Sequence, residues 1–286
     1  MDMTKTTDDE QARLWRGVAG QAWVEAQETL DRMFQPLEDL LVGAVPVGSA
    51  HRVLDVGCGT GSTTLAIARR LGAGGHCTGI DISDPMIAMA RTRAAREGAL
   101  ARFIRADAQT HAFEPFGFDT IISRLGVMFF EDSVAAFANL RRAAVDGAEL
   151  RFVAWRGAAE NPFMTTAERA AAHLLPNLPA RPSNGPGQFA FADPDNIHHV
   201  LEHGGWADID IRPIDSACAF PERELVRYLT RLGPIGRVLP DVDAQTRARV
   251  VETVRAAFEP YVHGAAVRFD AACWMVSARA PVSSSA

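Results

Sequence analysis

Lysine is almost missing from this 286-residue chain: Lys5 is the sole one, and arginine carries the remaining positive charge. Acidic residues outnumber basic ones 35 to 29, a net charge of −6, which argues against a nucleic-acid backbone as the main partner. Together with abundant alanine, the arginine usage looks like the base composition of a GC-rich bacterial genome. Cysteine is sparse. Cys58, Cys77, Cys218 and Cys273 show neither CxxC spacing nor the density of a disulfide framework, so a reduced, cytoplasmic setting is expected. No apolar run approaches membrane-span length, so no membrane helix is expected. The opening MDMTKTTDDEQ is polar and acidic and is not read as a signal peptide. The tail VSSSA is expected to fray.

What is present is a large apolar fraction, 48%, enough for a sizeable core. Residues 9–42 carry Trp15, Trp23, Leu30, Met33, Phe34 and Leu37 at helical intervals, and Pro36 and the GAVPVGSA stretch interrupt and end that region. Strand and helix then alternate. Strands are predicted at 51–57, 76–82, 101–107, 118–124 and 149–156, and helices at 62–72, 83–98 and 132–147. Ser83 is placed as an N-cap, with Gly72 and Gly98 as helix stops. This alternation implies a parallel sheet covered on both faces. Beyond residue 156 the expectation is a helix near 162–174 and a long Pro/Gly-bearing connection, 174–187. A helix at 194–204, a strand at 207–216, helices at 222–232 and 242–258 and a last strand at 266–278 complete the reading. The 157–192 and 217–264 segments look like insertions above the sheet, and no boundary between separable domains is visible.

The most informative stretch is VLDVGCGTGS, residues 53–62. Glycine after a first strand lets backbone turn tightly and approach a ligand, and the next helix offers free N–H groups. A nicotinamide-binding turn has the form G-x-G-x-x-G. Here the glycines are Gly57, Gly59 and Gly61, the third dinucleotide position holds Ser62, and Asp55 sits inside the run. A tight turn without any ligand is the plain alternative, and Asp81 and Asp107, each closing a later strand, weigh against it.

DVGCGTG (55–61) resembles the first motif of the class I S-adenosylmethionine-dependent methyltransferases, acidic-x-G-x-G-x-G. The resemblance covers residues 50–156 strongly. The WRGVAGQAWVEAQETLDRMF and SRLGVMFFEDSVAAFANLRRA stretches and a closing WMVSARA extend it toward a bacterial small-molecule subgroup, similar in its core to the ubiquinone-biosynthesis methyltransferases. It implies an α/β, Rossmann-like class I methyltransferase fold: a seven-stranded, mostly parallel sheet with helices on both faces and a helical lid. The chain is then one domain, 1–286, with a lid at 1–45 and a cofactor core at 50–156. S-adenosylmethionine is the implied cofactor. Asp55, Gly57, Gly59 and Gly61 form its turn, Asp81 takes the ribose hydroxyls, and Ile82 and Met86 wall the adenine. Asp107 and Ala108 meet the adenine edge, Ser123 lies in the segment (121–126) under the methionine end, and Trp15 is a lid residue, with a simple core role as its alternative.

The implied activity is methyl transfer to oxygen, nitrogen or carbon of a partly hydrophobic small molecule. A protein that binds the cofactor for other chemistry or for sensing shares every one of these motifs. Arg124, Met128, Trp155, Phe163 and Phe189 are the candidate substrate contacts, with Phe129, Phe130 and Phe191 as further apolar surface. Arg124 has two readings, an anchor for a carboxylate or a structural ion pair. No catalytic residue is assigned. His111 is a loop residue near the cofactor rim. His198, His199 and His203 share one helix without HExxH spacing or a carboxylate partner, so no metal is expected. The Asp/Asn-Pro-Pro-Tyr signature of nucleic-acid and protein amide methylation is absent, with IISRLG in its place. Oligomeric state is not readable.

Overall fold

The computed structural model describes residues 5–48, 50–179, 181 and 185–282. Part of the 174–187 connection and the end of the VSSSA tail lie outside these residues. The N-terminal region is four helices: α1 Lys5–Arg16, α2 Val18–Glu25, α3 Gln27–Met33 and α4 Gln35–Ala44. A helical region interrupted at Pro36 was expected over 9–42. The chain instead breaks at Gly17, Ala26 and Phe34. Pro36 does not break a helix; it sits in the first turn of α4, where its missing N–H costs nothing.

The core then follows the predicted alternation. It runs β1 Arg52–Val56, α5 Ser62–Leu71, β2 His76–Asp81, α6 Asp84–Glu97, β3 Ala101–Arg105, β4 Phe118–Arg124, α7 Ser133–Ala143 and β5 Ala144–Trp155. The predicted 132–147 helix ends early because Ala144 already pairs with Phe118 at the foot of β4. Further elements are α8 Pro162–Ala171, α9 Pro194–His203, β6 Ala207–Pro221, α10 Leu225–Arg231, α11 Gly233–Val238, α12 Ala244–Ala257, β7 Val262–His263 and β8 Ala266–Arg279. The short α11 and β7 were not anticipated. Both are too brief to carry a periodic pattern.

The sheet order is β3-β2-β1-β4-β5-β8-β6, with β7 paired to β8. The first five strands are parallel, and β8 runs antiparallel between β5 and β6. The fold is therefore the Rossmann-like arrangement expected, with seven strands on the main path and a two-residue eighth. β1 is buried at four of its five positions, as a central parallel strand covered on both faces must be. β6 is the edge strand, which accommodates Pro213 and Pro221. Strand order reverses between β1 and β4, so the crevice at their carboxyl ends is where this topology places a ligand.

Candidate functional site

A cavity of about 620 Å³ opens at those strand ends. The glycine turn enters it from β1, and each glycine is required for a different reason. Gly57 adopts φ +68, and a Cβ there would lie 2.7 Å from Gly126 Cα, so the turns after β1 and β4 touch backbone to backbone. Gly59 adopts φ +55, lines the cavity and donates its N–H to Asp81 Oδ2 at 2.9 Å. Gly61, at φ +87, faces away. A Cβ there would press on Phe103 and Ala90, so its role is to seat α5 against β3 and α6. Cys58 is buried filler beside Gly79, its thiol pushed up by burial.

Asp81 ends β2 with both carboxylate oxygens held by backbone: Gly59 N–H at Oδ2 and Ser83 N–H at Oδ1, each 2.9 Å. Burial raises its pKa, and these N–H donors pull it back. Ser83 occupies the N-cap position but makes no capping bond; its hydroxyl is buried without a partner among the described residues, beside Gly20 of α2. Asp107 accepts Gln109 N–H at 2.9 Å and lines the cavity with Ala108, Ile82 and Met86. Asp55 also lines it. Burial lifts its pKa to about 7, against the Thr64 hydroxyl donating at 2.6 Å. Ser123 does not line the cavity. Its Oγ donates to Val56 O at 2.7 Å and accepts Gly126 N–H at 3.1 Å, so it stitches the ends of β1 and β4 together. Leu125, between them, holds a left-handed φ of 62° at the cavity wall.

The N-terminal helices close this end. Trp15 packs edge-on against Trp23 and Phe129, with ring centroids at 5.7 and 5.1 Å. Its Nε1 and the Gln11 Oε1 one turn earlier are buried without partners among the described residues, and both residues line the cavity. Two polar ties, which the sequence reading missed, fix the cover. Asp31 of α3 pairs with Arg93 of α6 at 2.9 Å, and Arg93 also donates to Thr60 O at 3.0 Å. Glu38 of α4, 4% exposed, accepts from the Ser62 hydroxyl and faces Arg124 at 3.6 Å. Arg124 therefore sits in an ion pair while it also lines the cavity.

Beyond Met128 and Trp155 the cavity is also walled by residues of α8, the 185–190 segment, α10 and α11, which form its chamber. Arg181 forks onto Glu168 at 2.6 and 2.7 Å, with Phe189 under its guanidinium at 5.3 Å. Tyr228 is half-buried, and among the described residues its hydroxyl has only Met164 Sδ, at 3.9 Å, as partner. Phe163 touches the cavity but is 2% exposed and stacks on Phe269 at 3.8 Å, inside a cluster with Phe258 and Tyr261. It is core first. Phe191 packs with Phe137 and Phe152 and is not part of the wall. His111 stacks edge-on with Phe113 and stays outside the cavity. His199 and His203 lie together, 4.0 Å between rings. Among the described residues, no group of three or more metal-binding side chains converges, and no helix is long and apolar enough to cross a membrane.

Bare backbone, unpartnered polar atoms on α1 and a wall carrying Asp31, Asp55, Asp81, Asp107 and Glu131 fit a ligand with hydroxyls, an amino group and positive charge. Residues 53–147 match the family model of a methyltransferase domain. Aklanonic acid methyltransferase DauC of Streptomyces sp. (strain C5) is 32% identical over 137 residues, 46% of this chain and 62% of that protein. Nocamycin O-methyltransferase of Saccharothrix syringae is 33% identical over 110 residues, 38% and 39% of the two chains. The chain thus spans between 39% and 62% of the length of the curated relatives it matches. A crystal structure of a putative methyltransferase from Bacillus halodurans C-125 shares the fold, with a TM-score of 0.55, 16% identity, 87% of this chain and 100% of that one covered. What these matches show for this chain is a methyltransferase domain over residues 53–147.

Proposed function

We propose that this protein transfers the methyl group of S-adenosylmethionine to a partly hydrophobic small molecule, with an oxygen as the acceptor atom. The observation that carries the reading is the continuity of one cavity: the glycine turn, Asp81 and Asp107 line one end, and Trp155, Phe189 and Tyr228 line the other. Oxygen is preferred over nitrogen or carbon because a matching relative is named an O-methyltransferase. Segment roles follow: 1–45 as lid, 50–156 as cofactor core, 157–192 and 217–264 as the acceptor side of one domain in a cytoplasmic protein. The closer likeness to ubiquinone-biosynthesis methyltransferases rests on the sequence motifs alone.

Bound here, S-adenosylmethionine would supply an electrophilic methyl carbon, and the acceptor's lone pair would displace neutral S-adenosylhomocysteine from it. In this reading Asp81 and Asp107 hold the nucleoside, with Ile82 and Met86 beside it, and Gly57 and Gly59 keep side chains out of its way. Asp55, Ser123 and Gly61 support the turn. Trp15 and Gln11 close over the ligand and exclude water. The apolar chamber then fixes the acceptor in line, and orientation of this kind lowers a barrier by roughly 7–11 kcal/mol.

The test is incubation of the protein with methyl-labelled S-adenosylmethionine and a fractionated metabolite extract, followed by mass spectrometry. One labelled metabolite with matching S-adenosylhomocysteine is expected. Tight cofactor binding with no labelled product would favour non-methylating chemistry or sensing.

A further inference from the structure

The charges of the cavity wall are sorted along its length. Apart from Arg124, which faces Glu38, the charged residues at its cofactor end are acids: Asp55, Asp81, Asp107, Glu131 and Asp31, the last paired with Arg93. Its acceptor chamber carries Arg181, Arg231 and Arg237 against the single acid Glu168. The chain as a whole is acidic, so a cationic chamber runs against its own background. Three arginines against one carboxylate leave an excess of two positive charges facing a wall otherwise built of Leu229, Leu232, Ile235 and Phe189.

The three arginines are not equivalent. Arg181 is consumed by the protein: Glu168 takes two of its donors, and Gln188 and the Met164 carbonyl take others. It neutralises Glu168 and stiffens the wall. Arg231 is 60% exposed and has only a loose contact with Glu25, at 3.9 Å. The Arg237 guanidinium makes no hydrogen bond or ion pair among the described residues. Arg231 ends α10 and Arg237 lies in the last turn of α11, on either side of Gly233. Two guanidiniums without strong partners, at the edge of an apolar chamber, present fork-shaped donors to a planar acidic group. Tyr228, which lines the cavity, adds a hydroxyl whose only partner among the described residues is a sulfur.

We propose that the acceptor is an anion: an apolar body carrying a carboxylate or a similarly acidic group, which is held by Arg231 and Arg237 while the body fills the chamber. This deepens the methyl-transfer reading and rests on it for the word acceptor. The acidic group is the handle for recognition. Opposite charge at the two ends also fixes direction. A cationic cofactor is drawn to the acidic end and repelled from the chamber, and an anionic acceptor the reverse.

Three probes of one shape test it: naphthalene-2-carboxylate, its neutral carboxamide, and the cationic 2-(aminomethyl)naphthalene. Each is titrated calorimetrically into the full-length protein, with and without S-adenosylhomocysteine. The carboxylate is expected to bind about tenfold tighter than the carboxamide, with the amine weakest, and the preference should shrink at high salt. The Arg231→Met/Arg237→Met double variant should erase the preference while its thermal midpoint, the folding control, stays at the wild-type value. Equal affinity for carboxylate and carboxamide, no binding of either, or a preference that survives in the double variant would overturn the proposal. Failure of S-adenosylhomocysteine to bind is a separate result. It removes the methyl-transfer reading, while the probe preference still decides the charge of the chamber's ligand.

Discussion

Asp81 and Asp55 are both buried carboxylates at strand ends, yet they hold different partners and serve different ends. Asp81 meets two backbone N–H groups on fixed turns, and its remaining lone pairs suit a pair of ribose hydroxyls. Asp81→Ala is expected to weaken S-adenosylhomocysteine binding by about 1.5–3 kcal/mol. Calorimetry at matched thermal midpoint would read it, and wild-type affinity would remove Asp81 from the cofactor site. Asp55 has one neutral donor, Thr64, and its pKa rises to about 7 through burial. A carboxyl whose folded pKa lies above its unfolded value favours folding when protonated. That contribution is present below the unfolded pKa, shrinks as pH climbs above it, and is lost by the time pH passes about 7. Asp55→Asn removes the titration and keeps an oxygen for Thr64. Its thermal midpoint relative to wild type should therefore rise between about pH 5 and pH 8; a constant difference would show that Asp55 is not the titrating group.

Elements meet here through small residues and buried ion pairs rather than through apolar area alone. Gly20 is the clearest case. A Cβ there would lie 2.2 Å from Trp15 O and 2.4 Å from Ser83 Oγ, so α2 can sit on the start of α6 only with hydrogen at that position. The Asp31–Arg93 pair and the Glu38–Ser62 bond then tie α3 and α4 to the core. Gly20→Val should lift α1 and α2 off the glycine turn without unfolding the sheet. Hydrogen exchange would show lost protection confined to about residues 11–30, with weaker S-adenosylhomocysteine binding alongside. Unchanged exchange there would mean that the cover does not depend on this contact. Neither tie is visible from spacing, because partners lie 62 and 24 residues apart in the chain and no local pattern links them.

For the molecule as a whole, the insertions and the far half of the sheet share one aromatic core. Phe163 brings α8 against β8 through Phe269, and against α12 and the segment after it through Phe258 and Tyr261. Phe163→Ala is expected to cost about 3–5 kcal/mol of stability, read by urea unfolding. A loss below about 1 kcal/mol, with acceptor binding abolished, would restore the substrate-contact role that its sequence position suggested. Phe163 and Phe189 look alike in the sequence, each an aromatic in an insertion. The fold separates them by burial: one is locked in a stack, the other lies half-buried under Arg181 at the chamber wall.

Local chemistry was legible from residues alone. Short apolar runs, helical spacing and the glycine stops marked the strands and helices of 50–156, and three spaced glycines with Asp81 and Asp107 marked the strand ends that form a crevice. Those features act over a few residues, so a linear reading captures them. Division of labour among the glycines, the ion pair of Arg124 with Glu38, the exclusion of Ser123 from the cavity and the sorting of charge along its wall are long-range facts. They exist only once α4, α8, α10 and α11 are folded onto the sheet. Burial then decides which polar group must find a protein partner and which is left to meet a ligand.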